Sequence, residues 1–319
     1  QAVGKFTNCV IRGNKATSFG GGVAVRMASP RFLNTDISIN LASQNGGGVF
    51  VDGASSLYFS SSSIQGNRAN NNGGGVYASS TATPSLFSVL ITGNIAQNQG
   101  GGVYCQDIGS RATLSNCTLS GNNATEGGGV FQFSSLVRVT NSIVYGNFHL
   151  KNTNAFAQQL TGSNITVTFS LVDGIATPSG SNNLNVDPLF ISPISPSLAP
   201  SARGDYSVSK YSPVINSGNN SNIPPDSLDV DVDGDVFESL PWDVVQGFRI
   251  ENTTVDMGAY ETLDLCLPLG NSRLLFADGP ISFCDQDSVG LNTRKGYVNY
   301  AWSIDGQLLM SPSTPLILD

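Results

Sequence analysis

The side chains best suited by type and spacing to do chemistry are carboxylates. Asp229, Asp231, Asp233 and Asp235 alternate in Asp-Val-Asp-Val-Asp-Gly-Asp, the opening of a loop in which successive carboxylates turn toward one hard cation such as Ca2+. The bidentate glutamate that closes an EF-hand at the twelfth position is replaced by Leu240. The run is therefore either a structural Ca2+ loop completed by acids from elsewhere, such as Asp226, Glu238 or Asp256, or a solvated acidic turn. Cleavage of a polysaccharide would need acids gathered on one face with a basic partner. Up to residue 150 the acids are Asp36, Asp52, Asp107 and Glu126, and they fall at unrelated positions of the repeat described below. The single histidine, His149, is expected to be solvated in a turn. No catalytic residue is assigned, and the best remaining place for a carbohydrate-active site is around Asp173, Asp187 and Glu261.

A second chemical signal is aromatic. Phe50, Tyr77, Tyr104 and Phe131 each follow a valine that closes a glycine triplet. If Val49, Val76, Val103 and Val130 point inward, strand alternation turns these rings outward, where an aromatic ladder can stack on sugars or be buried by a neighbouring element. The opposite alternation puts the rings in the core; Val25, Val51, Ala78, Cys105 and Gln132 at the next inward positions mildly favour the rings outside.

The elements that must carry these residues are repeats. Glycine triplets begin at Gly20, Gly46, Gly73, Gly100 and Gly127, so successive copies lie 26, 27, 27 and 27 residues apart, a period that marks a solenoid. Aligned on Asn14, Asn40, Asn67, Asn94, Asn122 and Asn147, the sequence falls into columns. Ile11, Ile37, Ile64, Ile91, Leu119 and Val144 form one inward column; Phe6, Phe32, Phe59, Leu86, Leu114 and Val139 form another. Asn8, Asn34, Ser61, Ser88, Asn116 and Asn141 make a polar column suited to ladders between coils. Identical side chains stack only when parallel strands pair in register about 4.8 Å apart. The triplets suit corners where the backbone takes positive φ or passes close to the next coil. The expected fold is all-β, a right-handed parallel β-helix, with six coils to about residue 150. Two further coils are expected near residues 165–174 and 183–190, then a proline-marked excursion. Arg26 and Asp52 share a position in adjacent coils and should form an exposed ion pair.

Composition narrows the function. Charged residues make up 12% of the 319 and the formal charge is −8, which does not suit nucleic-acid binding, where a basic face must neutralise phosphates. No apolar run approaches the roughly 18 residues of a membrane span. Because the repeat begins almost at Gln1, the chain is expected to be a trimmed piece of a longer protein. Cys9, Cys105 and Cys117 belong to solenoid columns and are expected to be buried thiols. Cys266 and Cys284 lie 18 positions apart and either pair with each other or await partners further along.

The succession Asp187-Pro-Leu-Phe190, Ser212-Pro-Val-Ile-Asn-Ser-Gly218, the Asp-rich run and Val255-Asp-Met-Gly-Ala-Tyr-Glu261 resembles the C-terminal end of secreted bacterial right-handed β-helix proteins. The Gly-Gly-Gly-Val coils with their asparagines resemble repeats of polymorphic outer-membrane adhesins. Residues 238–252 are an insertion relative to that pattern. Beyond Thr262, the segments Phe283-Cys-Asp-Gln-Asp and Gly296-Tyr-Val-Asn-Tyr-Ala-Trp-Ser-Ile-Asp-Gly306 resemble the start of an immunoglobulin-like module of large surface proteins. The expected domains are thus a β-helix over 1–262 and the beginning of such a module over 263–319. These resemblances imply export across a bacterial outer membrane by the type IX route and a non-catalytic adhesin or stalk, with glycans, other surface components or further domains of the same polypeptide as partners. The alternatives are a polysaccharide lyase or hydrolase on the same solenoid and a subunit of an extracellular filament. Apart from Ca2+, no cofactor is expected.

Overall fold

A computed structural model describes residues 4–151, 153–176, 182–227, 229–230, 233–251 and 253–262, together with strand backbones further on. The chain divides into two units, Gln1–Asp264 and Leu265–Asp319.

The first unit is a parallel β-solenoid. Its main sheet runs through seven coils, from Lys5–Thr7 through Arg31–Leu33, Tyr58–Gln65, Ser85–Thr92, Arg111–Ser115 and Leu136–Thr140 to Ile165–Thr168. A six-stranded sheet of two-residue strands follows each asparagine, and the strands after the five triplets form a second six-stranded sheet with Leu160–Thr161. Register is residue on residue: Phe6↔Phe32↔Phe59↔Leu86↔Leu114↔Val139↔Val167, and Val23↔Val49↔Val76↔Val103↔Val130. Both columns enter one core.

Three corners turn each coil, and each has a local cause. The polar column takes positive φ at Asn8, Asn34, Ser61, Ser88, Asn116 and Asn141, a conformation for which Asn is enriched among residues with a side chain. At the second corner the asparagines form a buried ladder. Asn67 Oδ1 accepts from Asn40 N (3.0 Å) and Asn40 Nδ2 (3.0 Å), and Asn67 Nδ2 donates to Ile37 O (2.9 Å). The same pattern repeats up to Asn147, where Gln159 Oε1 takes over as acceptor at 3.1 Å and 2.8 Å. Gln159 ends the short helix Ala155–Gln159, which occupies the place of the next triplet. At the third corner the first glycine of each triplet has positive φ, from 61° to 69°. A Cβ on the second would collide with the backbone of the next coil.

Four expectations need correction. The coil near 183–190 is only begun: Leu184 bridges Leu171, but Phe190–Ser192 pairs antiparallel with Asp205–Val208. Pro188 has no N–H for a parallel ladder, and Leu189 turns the chain at φ 56°. His149 occupies the Ala column and is buried, with Nδ1 3.2 Å from Gly127 N and 3.1 Å from Ala157 O, so it is not solvated. Cys105 and Cys117 are buried free thiols, whereas Cys9 is only half-buried in the first coil. The polar corner column forms ladders at Asn34–Asn8 and Asn141–Asn116, but from Ser61 to Asn141 its main partners come from elsewhere in the chain.

In the second unit, Leu275–Ala277, Val289–Thr293 and Leu316–Leu318 form an antiparallel sheet, and Trp302–Ile304 pairs with Gln307–Met310. Cys266 and Cys284 lie outside the described residues.

Candidate functional site

The aromatic column does point away from the core, yet it offers no open ring. Phe19, Phe50, Tyr77, Tyr104 and Phe131 stack with centroids 4.7–5.5 Å apart and interplanar angles of 4–25°. Phe50, Tyr77, Tyr104 and Phe131 are only 3%, 5%, 4% and 8% exposed. Each ring face is occupied by the next ring, Thr161 pairs beside Phe131, and the Cβ atoms rest against the corner glycines. The ladder is a second small core, so it cannot stack on sugars. Burial pushes the Tyr104 hydroxyl up to about 12 and the Tyr77 hydroxyl up as well. Arg26 lies over Phe19 and Phe50 at 5.4 Å and 5.3 Å, and its Nε is 3.8 Å from Asp52 Oδ2, which is the expected cross-coil pair.

The Asp-rich turn is described only in part, because Asp231 lies outside the described residues. Asp229 Oδ1 accepts from Gly234 N (3.2 Å), Asp233 Oδ1 from Asp235 N (2.7 Å) and Asp235 Oδ1 from Phe237 N (2.8 Å). These three carboxylates are turned onto local amides, and no group of three metal-ligating side chains converges among the described residues.

The most perturbed carboxyl groups lie where residues 212–262 return as a strap across the main sheet. The strap is tied to the polar corner column. Ser61 Oγ donates to Trp242 O (3.3 Å), Asn116 Nδ2 to Asp256 O (3.2 Å) and Asn141 Nδ2 to Asn219 O (2.9 Å), while Ala259 N donates to Thr118 Oγ1 (2.9 Å). Apolar contacts accompany these bonds: Ile223, Leu240 and Val255 cover Phe87, and Val214 and Met257 cover Ile143. At its centre Arg249, 1% exposed, donates from Nη2 to Glu261 Oε2 (2.7 Å) and Tyr260 O (2.8 Å). Its Nη1 donates to Gly258 O and Ala259 O (both 3.1 Å) and reaches Ser88 Oγ (3.4 Å). Asp243 accepts from Glu261 N at 3.0 Å, and Asp256 accepts from Asn216 N and Thr262 N, each at 2.7 Å.

Arg249 bonds one of the three carboxylates, Glu261, while its charge also acts on Asp243 and Asp256, and all three carboxylates are buried. Burial pushes Asp243, Asp256 and Glu261 all above the usual carboxylate range, and the neighbouring Asp256 charge adds to the shift at Glu261. Perturbed carboxylates often mark active sites, but here every member is closed off from solvent and spent on holding the strap. Sequence reasoning missed this latch. Its one signal was Arg249, the only basic residue between 226 and 261, in the inserted segment.

Of the other late acids, Asp187 is exposed and accepts from Leu189 N at 2.8 Å, and burial raises Asp173. Both charges reach Tyr145, whose hydroxyl is pushed up first by burial and then by Asp187 and Asp173. Glu261 does not join them. A polar groove of about 350 Å3 lies by the triplet corner between Asn71, Asn98, Gln99, Thr125, Glu126 and Lys151. There Lys151 Nζ and Gln99 Nε2 both donate to Glu126 at 2.7 Å, lowering its acidity range.

This geometry defines a solenoid repeat protein of the right-handed parallel β-helix type. A family model described as a right handed beta helix region matches residues 47–187, the stretch that carries the triplets at Gly73, Gly100 and Gly127. No curated protein matches the chain. No solved structure matches it. No helix among the described residues is long and apolar enough to cross a membrane.

Proposed function

We propose that this chain is a non-catalytic, extracellular stalk or adhesin segment of a large bacterial cell-surface protein, whose solenoid is a rigid carrier for glycan contacts. The observation that carries the reading is the fate of the acids. Asp243, Asp256 and Glu261, the carboxylates most shifted by their surroundings, are buried in the Arg249 latch, out of reach of a polymer. The coil acids are dispersed: Asp36 bonds Ser38 and Ser63, Asp52 faces Arg26, Asp107 accepts from Ser80 N, and Glu126 holds Lys151. On this reading export follows the type IX route and the second unit opens an immunoglobulin-like module, while the Asp-rich turn is either a structural Ca2+ loop or a solvated acidic turn.

One observation favours a second reading, a polysaccharide-cleaving enzyme. Asp173 and Asp187 both act on Tyr145, a set of groups able to move protons. The test is to incubate the purified chain with a panel of neutral and acidic polysaccharides, scoring binding and new reducing ends together. Binding without product supports the stalk, and product that disappears in Asp173→Asn or Asp187→Asn supports the enzyme. No binding to any glycan overturns the adhesin reading.

A further inference from the structure

The strap covers only part of the main sheet. It lies over the column that includes Phe87 and Ser115, whose Oγ donates to Asn222 O at 3.3 Å. Two positions back along the same strands, Ser85, Thr113 and Arg138 stand side by side in adjacent coils. Two further back Arg111 pairs with Leu136, and its N–H donates to Ala82 O beside Thr83. These residues line an open groove of about 230 Å3, which no strap residue enters.

The groove is cationic in an acidic protein. Seven successive strands of this sheet column, Lys5–Thr7 to Ile165–Thr168, carry Lys5, Arg31, Arg111 and Arg138 and no Asp or Glu, although acids outnumber bases 23 to 15 in the chain. Neither Arg111 nor Arg138 forms an ion pair with a described residue. Asp107, the nearest acid along the chain, is turned onto Ser80 N at 3.2 Å. Arg111 and Arg138 are one coil and two residues apart, so their Cα atoms are separated by about 8 Å, and both forks can reach one anionic group set between them.

We propose that the Arg111–Arg138 groove binds an anionic saccharide, with the two guanidinium groups holding its carboxylate or sulfate and the Ser85 and Thr113 hydroxyls meeting its ring hydroxyls. This rests on the glycan-binding reading above and gives it a site. The planar guanidinium matches an oxyanion with two parallel hydrogen bonds. The volume falls below the roughly 300 Å3 at which pockets for drug-sized molecules begin, which suits one sugar unit of a longer chain lying across the coils. A nucleic acid is disfavoured, because no aromatic ring lines the groove for base stacking.

The test is calorimetric titration of the whole chain with oligogalacturonate, with chondroitin sulfate oligosaccharides, with neutral dextran oligosaccharides and with a single-stranded DNA oligonucleotide. Binding of one or both acidic saccharides is expected, and their comparison tells carboxylate from sulfate. Arg111→Ala/Arg138→Ala should weaken it at least about tenfold with an unchanged melting curve, and Arg138→Lys, which keeps charge but not the fork, should lie between. Arg203→Ala, outside the groove, should bind normally. Acidic saccharides held equally well by the double variant, or DNA bound as tightly as they are, would overturn the proposal. Binding of the neutral saccharide alone would overturn it while leaving the glycan-binding reading intact, and binding of nothing would remove both.

Discussion

Replacing Arg249 with methionine keeps most of the apolar stem and deletes the guanidinium that closes the latch. The lost contacts are those to Glu261, Tyr260, Ala259, Gly258 and Ser88. Glu261 would remain buried with Asp256 beside it and no cation. Above about pH 8, where Glu261 is ionised in the folded chain, removing one partner of a buried pair costs about 3–5 kcal/mol, mostly as the penalty on the charge left behind. Because the strap is one layer on a preformed solenoid, that cost should appear first as local opening rather than global unfolding. The amides of Ala259, Gly258 and Gly218, which bond to Thr118 Oγ1, Asn141 O and Val255 O, report it by hydrogen exchange. A cost of about 3 kcal/mol corresponds to roughly a hundredfold faster exchange there, with the Asn-ladder amides unaffected. Glu261→Gln added to Arg249→Met removes the stranded charge and should recover part of the loss. Exchange accelerated less than about threefold, or a double variant no better than the single one, would refute the latch.

Further outcomes follow from the same structure. Asp256 and Glu261 have folded values above their unfolded ones, so between the ordinary carboxylate range and about 8, the value reached by Glu261, the folded state holds more protons than the unfolded state. Stability should therefore fall as pH rises through that window, by on the order of a few kcal/mol; denaturant titrations across it should show the slope, and Glu261→Gln should flatten it. Asn94→Ala removes acceptors for Asn67 N and Nδ2 and donors to Ile64 O and Asn122 Oδ1, all buried. It should cost about 3–5 kcal/mol in urea unfolding, and a loss under about 1 kcal/mol would deny the ladder its structural role. A double-mutant cycle on Arg26 and Asp52 should return about 0–1 kcal/mol, since both side chains are partly exposed. If the Asp-rich turn binds Ca2+, a chelator should lower the melting temperature and Asp233→Ala should abolish the shift; an unchanged melting curve returns the run to a solvated turn.

What was legible in the sequence was whatever repeats. The triplets, the asparagine column and the two apolar columns each recur at a fixed step, so coil length, register and corner positions could be read from spacing. The outward direction of Phe50, Tyr77, Tyr104 and Phe131 also followed from alternation. Their burial did not, because it depends on ring-on-ring stacking and on how closely the glycine corner approaches, neither of which is written in any one coil. The strap was illegible for a different reason. Its sequence occurs once, its bonds join residues as far apart as Ser88 and Arg249, and the corner residues that hold it had a sufficient explanation in coil-to-coil ladders. The Arg111–Arg138 groove depends on which outward positions the strap leaves open, so it too emerges only from the fold.

The central claim, a rigid solenoid that binds sugars without cleaving them, is tested most directly by one experiment. The intact chain is titrated with acidic oligosaccharides, and the recovered ligand is sized by mass spectrometry after prolonged incubation. Saturable binding is expected, lost in Arg111→Ala/Arg138→Ala, with every oligosaccharide recovered at its original length. Shortened products whose formation depends on Asp173 or Asp187 would contradict it.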